Sequence, residues 1–359
     1  MANRTIIPFG PQHPVLPEPI HLDLVLEDEK VVEAIPNVGF VHRGLELLCQ
    51  KKSFQDMVLV AERICGICSL IHGVGFVQGI EKIMNLEVPE RALFLRVFWG
   101  ELSRIHSHIL WLGLAADAIG FESLFMHSWR VREMVLDIFE ETTGGRVIFD
   151  AVKVGGVRKD ISKETFTRIM KQLDKVEEEY KQIAEVFIKD FTIIHRWSNV
   201  GVLSKENAAK LGAVGPTLRA SGIKSDTRML KYGAYEKIDF EPIVEHTCDC
   251  YARSLVRVKE VYQSFDIIRQ CYNKISEGEI ETKVTGFPTG EFFSRVEQPR
   301  GEVIYYVKGN GTKFLDRFRV RTPTFANIPP LLQMLAGCDL ADVPAIIISI
   351  DPCISCTER

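Results

Sequence analysis

The chain has 359 residues, a formal net charge of −4 and nine cysteines. Its length allows a large core without disulfides, and 46% hydrophobic with 26% charged residues is typical of globular rather than disordered proteins. The 44 basic and 48 acidic residues nearly balance, so the charge gives no reason to expect nucleic-acid binding. No apolar run reaches the roughly 18 to 20 residues that span a bilayer, and no secretory signal is recognisable. We therefore expect a cytoplasmic protein with reduced thiols.

Hydrophobic periodicity predicts β segments near both ends of the chain and helices between them. Alternating apolar residues over 20–35 predict a β-hairpin, and 302–307 with 313–320 predict a second one around Gly309-Asn310-Gly311. Helical spacing is expected over 53–85, 89–118, 124–141, 161–190, 242–276 and 329–335, with an apolar run at 345–350. The pattern predicts an α+β, predominantly helical fold, with a central helix bundle and β-hairpins contributed by the N- and C-terminal segments.

Two CxxC pairs are the sharpest feature of the sequence: Cys65 with Cys68, and Cys353 with Cys356. A two-residue gap lets both thiolates of a pair reach one metal, and four thiolates suit zinc, nickel or iron better than magnesium or calcium. Structural zinc sites normally bring their second pair within roughly 15 to 20 residues of the first. Here nearly the whole chain separates the pairs, so we expect residues 1–359 to form a single domain around one buried site.

The spacing alone leaves several kinds of site open. A structural zinc held by four thiolates is the commonest use of two such pairs, and an iron–sulfur cluster comes next. A thioredoxin-like redox pair is disfavoured because no βαβ unit surrounds either motif. The remaining cysteines have no comparable spacing and are expected to be small buried hydrophobes. They are Cys49, Cys248, Cys250, Cys271 and Cys338.

The residues that flank the two pairs distinguish these possibilities. The first pair stands in ERICGICSLIH (62–72) and the second in DPCISCTER (351–359). Together they resemble the signature of the large, catalytic subunit of nickel–iron hydrogenases. Other stretches resemble the membrane-bound, energy-converting hydrogenases and their relative, the quinone-site subunit of respiratory complex I, so that the resemblance covers essentially the whole chain. These stretches are GPQHP (10–14), HRGLE (42–46), the GGR and GGV segments between 144 and 157, and QPRGEVIYY (298–306).

The resemblance implies that the four cysteines hold a Ni–Fe centre whose iron carries CO and cyanide. Cys65 and Cys353 match the terminal nickel ligands, whereas Cys68 and Cys356 match the thiolates that bridge nickel and iron. Polarisable thiolates stabilise a soft redox metal, and a terminal thiolate such as Cys353 can accept a proton when H2 splits.

Three further residues acquire expected roles beside the metals from the same resemblance. Arg300, in QPRGE, matches an arginine poised over the metals, where its permanent charge stabilises the cyanides and orients H2. Asp351 matches an acidic residue that also lies beside the metals. Without the motif, Arg300 and Asp351 would each be interpreted as half of a surface ion pair. His72 can donate a hydrogen bond to a bridging sulfur, although alone it would be interpreted as a core histidine.

Two glutamates are expected farther from the metals. Glu18, in HPVLPEP, resembles the acidic residue at the start of the proton route in energy-converting hydrogenases. Glu46, in HRGLE, matches a glutamate that helps to bind a further magnesium or iron ion near the C-terminus of the larger uptake enzymes. Arg359 stands where the usual histidine ligand would be, so Glu46 could instead pair with an arginine or serve the proton route.

The complex I relative is the main alternative because it shares most of these motifs. Its members lack the four cysteines, and they typically continue GPQHP with a second histidine that faces quinone. This chain keeps the cysteines and follows His13 with Pro14-Val15-Leu16-Pro17-Glu18. Both differences favour the hydrogenase over the quinone-site subunit, while a structural four-cysteine zinc protein remains a third interpretation.

We therefore expect the catalytic subunit of an energy-converting nickel–iron hydrogenase, which interconverts H2 with two protons and two electrons. Electrons would pass through a small iron–sulfur subunit to or from a ferredoxin-linked subunit, because this chain has no further clustered cysteines. Coupling to ion translocation would need integral membrane subunits. The chain would then lie peripherally on the cytoplasmic face of the cell membrane.

Overall fold

A computed structural model describes residues 4–14, 16 and 18–359 of the chain. Helices contain 52% of the residues and strands 15%, in three small antiparallel sheets. The predicted helix-dominated α+β fold is therefore confirmed.

The N-terminal sheet has the order β1-β2-β3, formed by Arg4–Phe9, His21–Glu27 and Lys30–Asn37. The predicted hairpin corresponds to β2 and β3, joined by a tight turn in which Asp28 adopts a positive φ of 55°. Alternation along β2 buries Leu22, Leu24 and Leu26, so one face of the sheet covers the core.

The middle of the chain is a bundle of helices around α3, whose residues are nearly all buried and which packs against α4 and α9. A small two-stranded ribbon, β4 (Val152–Lys153) with β5 (Gly156–Val157), interrupts the helices. The helices are α1 (Met57–Glu62), α2 (Ser69–Ile83), α3 (Glu90–Asp117), α4 (Glu122–Thr143), α5 (Lys163–Lys189), α6 (Phe191–Trp197), α7 (Lys205–Lys210), α8 (Gly215–Arg219) and α9 (Cys250–Lys274). Single 3-10 turns lie at Leu45–Gln50, Thr227–Leu230 and Gly233–Lys237.

The predicted helix over 53–85 is wrong at its centre, because the chain leaves the helical path between α1 and α2. The Arg43 guanidinium, which comes from outside this segment, donates to the carbonyl oxygens of Arg63 and Ile64, both at 2.8 Å. Those carbonyl oxygens are therefore hydrogen-bonded outside the helix. Cys65 and Cys68 both lie in the turn that results.

The predicted start of the helix over 242–276 is also wrong, since α9 begins at Cys250. The Asp249 carboxylate accepts the backbone N–H of Ala252 at 2.8 Å, which caps the first turn of α9. Cys248 lies before the cap with a positive φ of 64°. The Cys248-Asp249-Cys250 segment is thus a helix start rather than part of a helix interior.

The C-terminal sheet has the order β6-β7-β8, formed by Thr289–Gln298, Gly301–Asn310 and Leu315–Arg321. The second predicted hairpin corresponds to β7 and β8, whereas the sequence pattern does not predict β6. A two-residue turn joins β6 to β7, because Gln298 pairs directly with Gly301. Arg300 lies in that turn.

The chain after β8 returns to the core in short helices. They are α10 (Pro323–Leu335), α11 (Val343–Ser349) and α12 (Ile354–Thr357), with a 3-10 turn at Leu340–Asp342. The prediction of a helix over 329–335 thus missed the first half of α10, which begins with Pro323 in its first turn.

One continuous cluster of buried apolar side chains extends from Phe9 in β1 to Cys356 in α12. The continuity supports a single domain over residues 1–359, which stays a prediction. Among the described residues, no helix combines the length and the apolar character that a bilayer crossing requires.

Candidate metal centre

The four cysteines of the two CxxC pairs lie in one buried cluster, in which the Sγ atoms of Cys65, Cys68 and Cys356 are all within 4.8 Å of one another and Cys353 contacts Cys65. The Sγ atoms of Cys65 and Cys353 are 3.3 Å apart, and those of Cys68 and Cys356 are 3.6 Å apart. No cysteine of the four exceeds 3% exposure. Elsewhere in the part of the chain that the structure describes, no three His, Cys, Asp or Glu side chains come close enough together to hold a metal ion.

Two threonines at the start of α10 position the second pair. The Cys353 backbone N–H donates to Thr324 Oγ1 at 3.1 Å, and Thr322 Oγ1 donates to the Cys356 carbonyl at 3.0 Å. Both threonines are buried. Sequence patterns do not identify them, because a hydroxyl that binds a distant backbone group leaves no recognisable spacing.

Arg43 joins the backbones of the two pairs. In addition to the carbonyls of Arg63 and Ile64, its Nη2 atom donates to the Ser355 carbonyl at 3.1 Å. One guanidinium therefore contacts the segment before Cys65 and the segment between the C-terminal cysteines. Arg43 stands in the HRGLE motif, where the family resemblance points only to Glu46.

The electrostatics of the pocket fit a soft cation. Hydrogen bonds from the neighbouring thiols, that of Cys353 above all, lower the pKa of Cys65 well below its usual range. Burial raises the pKa of Cys68 and of Cys356 well above the ordinary value. By itself the pocket thus favours one thiolate, and a bound metal would supply the positive charge that lets the others ionise. Four sulfur donors suit a soft metal such as nickel, iron or zinc.

His72 lies one turn into α2 and contacts a cysteine of the other pair. Its Nε2 atom is 3.3 Å from Cys356 Sγ, and its Nδ1 atom is hydrogen-bonded to the Tyr305 hydroxyl. Burial lowers the pKa of His72 to about 4, so the imidazole is neutral at pH 7 and carries one N–H. In the tautomer in which Tyr305 donates to Nδ1, that N–H lies on Nε2 and donates to the sulfur. Tyr305 stands in the QPRGEVIYY stretch, but no sequence signal points to its role.

Arg300 and Asp351 form a buried pair beside the cysteines. Arg300 Nη2 donates to Asp351 Oδ1 at 2.8 Å, its Nε donates to the Asp351 carbonyl at 2.9 Å, and its Nη1 donates to Ser107 Oγ at 3.3 Å. Each residue of the pair is only 3% exposed, so this is not a surface ion pair. Although burial opposes the charge, Asp351 and the nearby cysteines raise the pKa of Arg300. The arginine therefore stays cationic beside the sulfurs.

Gly215 makes room for the turn that holds Arg300. A Cβ atom at Gly215, which has a φ of +65°, would lie 2.3 Å from the Arg300 carbonyl oxygen. Any larger residue there would push the turn away, and with it the guanidinium.

Glu18 contacts the backbone of the second pair. Its carboxylate accepts the N–H groups of Ile354 and of Ser355, the latter at 2.9 Å, and it also accepts the Ser355 hydroxyl. The same side chain lines an open cavity of about 390 Å³ together with Gln12, His13 and Leu16. Glu18 thus links the residue after Cys353 to the protein surface.

Glu46 faces guanidinium groups rather than further ligands. Its Oε1 atom accepts Arg359 Nε at 2.9 Å and the Val320 N–H at 3.0 Å, while Oε2 lies 3.4 Å from Arg319 Nη1. Two cations beside one carboxylate leave no place for a magnesium or iron ion there. The arrangement is the arginine pairing that the sequence left open for Glu46, and we do not propose the extra metal.

Comparison with known proteins shows two related groups. The sequence profile described as "Respiratory-chain NADH dehydrogenase, 49 Kd subunit" matches residues 118–287 and 282–359, and the profile "Nickel-dependent hydrogenase" matches 43–115. The membrane-bound hydrogenase subunit alpha of Pyrococcus furiosus is 38% identical, over 98% of this chain and 87% of its own. The carbon monoxide-induced hydrogenase of Rhodospirillum rubrum is 38% identical over 100% of both chains. An NADH-quinone oxidoreductase subunit of Koribacter versatilis is 35% identical, over 96% of this chain and 94% of its own.

Proposed function

The chain belongs to the family that unites nickel-dependent hydrogenases with the 49 kDa subunits of respiratory-chain NADH dehydrogenase, and on that premise we propose that it is the catalytic subunit of an energy-converting nickel–iron hydrogenase. The reaction is the reversible interconversion of H2 with two protons and two electrons. The observation that carries the proposal is the convergence of four buried cysteines from opposite ends of the chain.

Cys65, Cys68, Cys353 and Cys356 would together hold nickel and an iron that carries CO and cyanide. When bound, this centre supplies the redox chemistry that splits H2. Sulfur donors fit such metals, and the burial of the pocket keeps water away from them.

The protein's own residues handle the proton. The Cys353 sulfur accepts it, and Glu18 is the next acceptor because its carboxylate binds the N–H of Ile354, the following residue. The open cavity that Glu18 lines then gives the proton a way to solvent. Each transfer needs an acceptor within hydrogen-bond reach, directly or through one water.

Two residues of opposite charge fix the surroundings of the sulfurs. Arg300 keeps a positive charge beside them, which stabilises anionic ligands and orients the substrate, while Asp351 holds its guanidinium plane through two hydrogen bonds. His72 donates to the Cys356 sulfur and so limits the charge on that thiolate.

Electrons would leave through partners. Within the described residues no second cysteine cluster lies near the centre, so a small iron–sulfur subunit would carry electrons to or from a ferredoxin-linked subunit. Relatives that are named as parts of a membrane-bound hydrogenase and of an NADH-quinone oxidoreductase support assembly into a membrane complex. We propose integral membrane, ion-translocating subunits as further partners and a peripheral position on the cytoplasmic face of the membrane.

A quinone-site role is the second candidate, because NADH-quinone oxidoreductase subunits are also similar over nearly the whole chain. Infrared spectroscopy and metal analysis of the purified complex separate the candidates. Nickel and iron in equal amounts, with CO and cyanide stretches, are expected. Zinc alone would indicate a structural site, and the absence of any metal would favour the quinone-site role.

A further inference from the structure

Arg257 in α9 has an environment that folding alone does not explain. Its side chain is fully buried, and the guanidinium lies over the Trp111 ring at 4.2 Å. Nη1 donates to the Arg253 carbonyl at 2.9 Å, but Nε and Nη2 have no hydrogen-bond partner. Among the described residues, no carboxylate is hydrogen-bonded to these two nitrogens. Burial lowers the pKa of Arg257 to about 10, so the group is nevertheless charged at pH 7.

The other fully buried arginines show what such a charge normally receives. Arg219 binds the carboxylates of Glu260 and Glu297. Arg228 binds Asp226 at 2.7 Å and Glu101 at 3.1 Å.

Arg253, one turn before Arg257 on the same helix, has no carboxylate partner either. It donates instead to Ser349 Oγ, to the Gly201 carbonyl and to the Cys248 carbonyl. Arg257 therefore carries a buried charge with most of its hydrogen-bonding capacity unused, which costs stability. Such a cost is expected where function requires the residue.

An unsatisfied group of opposite charge lies in the surroundings of the metal centre. Asp351 uses Oδ1 to accept Arg300, while its Oδ2 atom is buried and has no partner. Asp351 lies near the ring on which Arg257 is stacked, because the Ile348 carbonyl accepts both the Trp111 Nε1–H at 2.7 Å and the Asp351 backbone N–H at 2.9 Å. The Asp351 carboxylate also opposes the lowering of the Arg257 pKa by burial. Buried polar groups that have no protein partner are commonly satisfied by ordered water.

We propose that Arg257 is a positioning residue for Asp351, joined to its Oδ2 atom by ordered water. The carboxylate is then held from both sides, by Arg300 next to the cysteines and by Arg257 behind it. Asp351 needs such support, since its φ of 56° is unfavourable for a residue with a side chain. Arg300 in turn depends on Asp351 for two of its three hydrogen bonds. The water bridge stands by itself, whereas its consequence for catalysis rests on the proposed function.

Three variants in the assembled complex test the proposal. Arg257→Met keeps an unbranched side chain over Trp111 but removes the charge, so its melting temperature should equal or exceed that of the wild type. Nickel content should be unchanged, while H2/D+ exchange falls about tenfold and the CO and cyanide bands shift, because one charge-assisted hydrogen bond to the Asp351 surroundings is lost. Arg257→Lys restores the charge and should recover part of the exchange rate and of the band positions.

Arg253→Met is the matched control, since it removes an equally buried arginine from the same helix. It should lower the melting temperature, because Ser349 Oγ and the Gly201 carbonyl both lose the arginine donor. The bands of the folded fraction should stay at their wild-type positions. Unshifted bands and unchanged exchange in Arg257→Met would overturn the proposal. So would destabilisation of both Arg257 variants without a spectral change, which indicates a purely structural arginine.

A high-resolution crystal structure of the wild-type protein provides a readout that does not depend on the Ni–Fe centre. Water joining Arg257 to Asp351 Oδ2 is expected. A dry contact, or a protein acceptor for Nε and Nη2, would refute the bridge. If the wild type lacks CO and cyanide bands, the proposed function fails while the bridge is still decided by the electron density.

Discussion

The two cysteine pairs share one buried point but are held there in different ways. Cys65 and Cys68 lie in a turn between two helices, and α2, which follows Cys68 directly, is a buried 15-residue helix. Cys353 immediately precedes α12, a helix of only four residues, and Cys356 lies within it. That helix depends on contacts from distant parts of the chain, such as Glu18 and Thr324. The comparison indicates that a long packed helix, together with Arg43, positions the first pair, whereas the second pair has no such helix and depends mainly on individual side chains.

The largest effect is expected when a ligand itself is changed. Cys353→Ser replaces a soft thiolate by a hydroxyl that nickel binds poorly, so nickel retention and H2 evolution should both be abolished. Cys65→Ser, on the other pair, should give the same result, since its sulfur is 3.3 Å from that of Cys353. Nickel analysis and H2 evolution assays provide the measurement.

Cys271→Ala is the matched control for the ligand variants, because this cysteine is equally buried but lies in α9, outside the cluster. It should retain nickel and H2 evolution. Full activity of Cys353→Ser would contradict the proposed centre.

A smaller effect is expected from Glu18→Gln, which should slow H2/D+ exchange on the order of a hundredfold at normal metal content. The glutamine oxygen can still accept the N–H groups of Ile354 and Ser355, and its amide can donate to the Ser355 hydroxyl, so α12 stays capped. Only the titratable acid is lost. Exchange measured by mass spectrometry checks the prediction.

Ser355→Ala is the control for Glu18, since it removes the hydroxyl contact to the carboxylate but leaves the acid in place. Its exchange rate should stay close to that of the wild type. Equal rates in Glu18→Gln and the wild type would indicate that the proton route starts elsewhere.

Near the first pair, Glu62 is a buried acid whose effect should depend on pH. Burial raises its pKa to about 8, while one oxygen accepts the Asp150 N–H at 2.8 Å and the other has no partner. Between the unfolded pKa of 4.5 and the folded pKa of about 8, the folded state binds the extra proton. Stability should therefore fall as pH rises through this window and then level off.

Glu62→Gln removes this titration. Its free energy of unfolding, relative to that of the wild type, should rise by about 3 kcal/mol from pH 6 to pH 9. Urea unfolding at both pH values tests this, and the difference between variant and wild type cancels the groups that both share. A difference that does not change with pH would show that Glu62 is already ionised in the folded protein at pH 6.

Local sequence patterns predict the elements whose causes are local. Apolar residues at spacings of three and four predict α5 to within two residues of its observed ends, and the Ser162 side chain caps it. The break between α1 and α2 could not be predicted in this way, because it depends on Arg43, some 20 residues away. Strand β6 was missed because half of its ten residues are exposed and it lacks a clear alternation.

The same distinction applies to the site. Family motifs identify Cys353, Arg300 and Glu18, because each stands in a recognisable stretch. They do not identify Thr324 or Arg257, whose partners are a backbone N–H and, as we propose, a water. Such contacts are properties of the folded chain and have no sequence spacing.

The smallest effect is expected when one hydroxyl contact beside either cysteine pair is removed. Thr324→Val keeps the side-chain shape but leaves the buried Cys353 N–H without an acceptor, which should cost about 1 kcal/mol and increase nickel loss on dialysis against a chelator. Ser69→Ala is the counterpart at the first pair, where the Ser69 hydroxyl donates to the Val147 carbonyl at 2.9 Å. Because α2 is positioned by its own packing, Ser69→Ala should release nickel at close to the wild-type rate. Equal nickel loss in the two variants would mean that both pairs rely on individual side chains to the same degree.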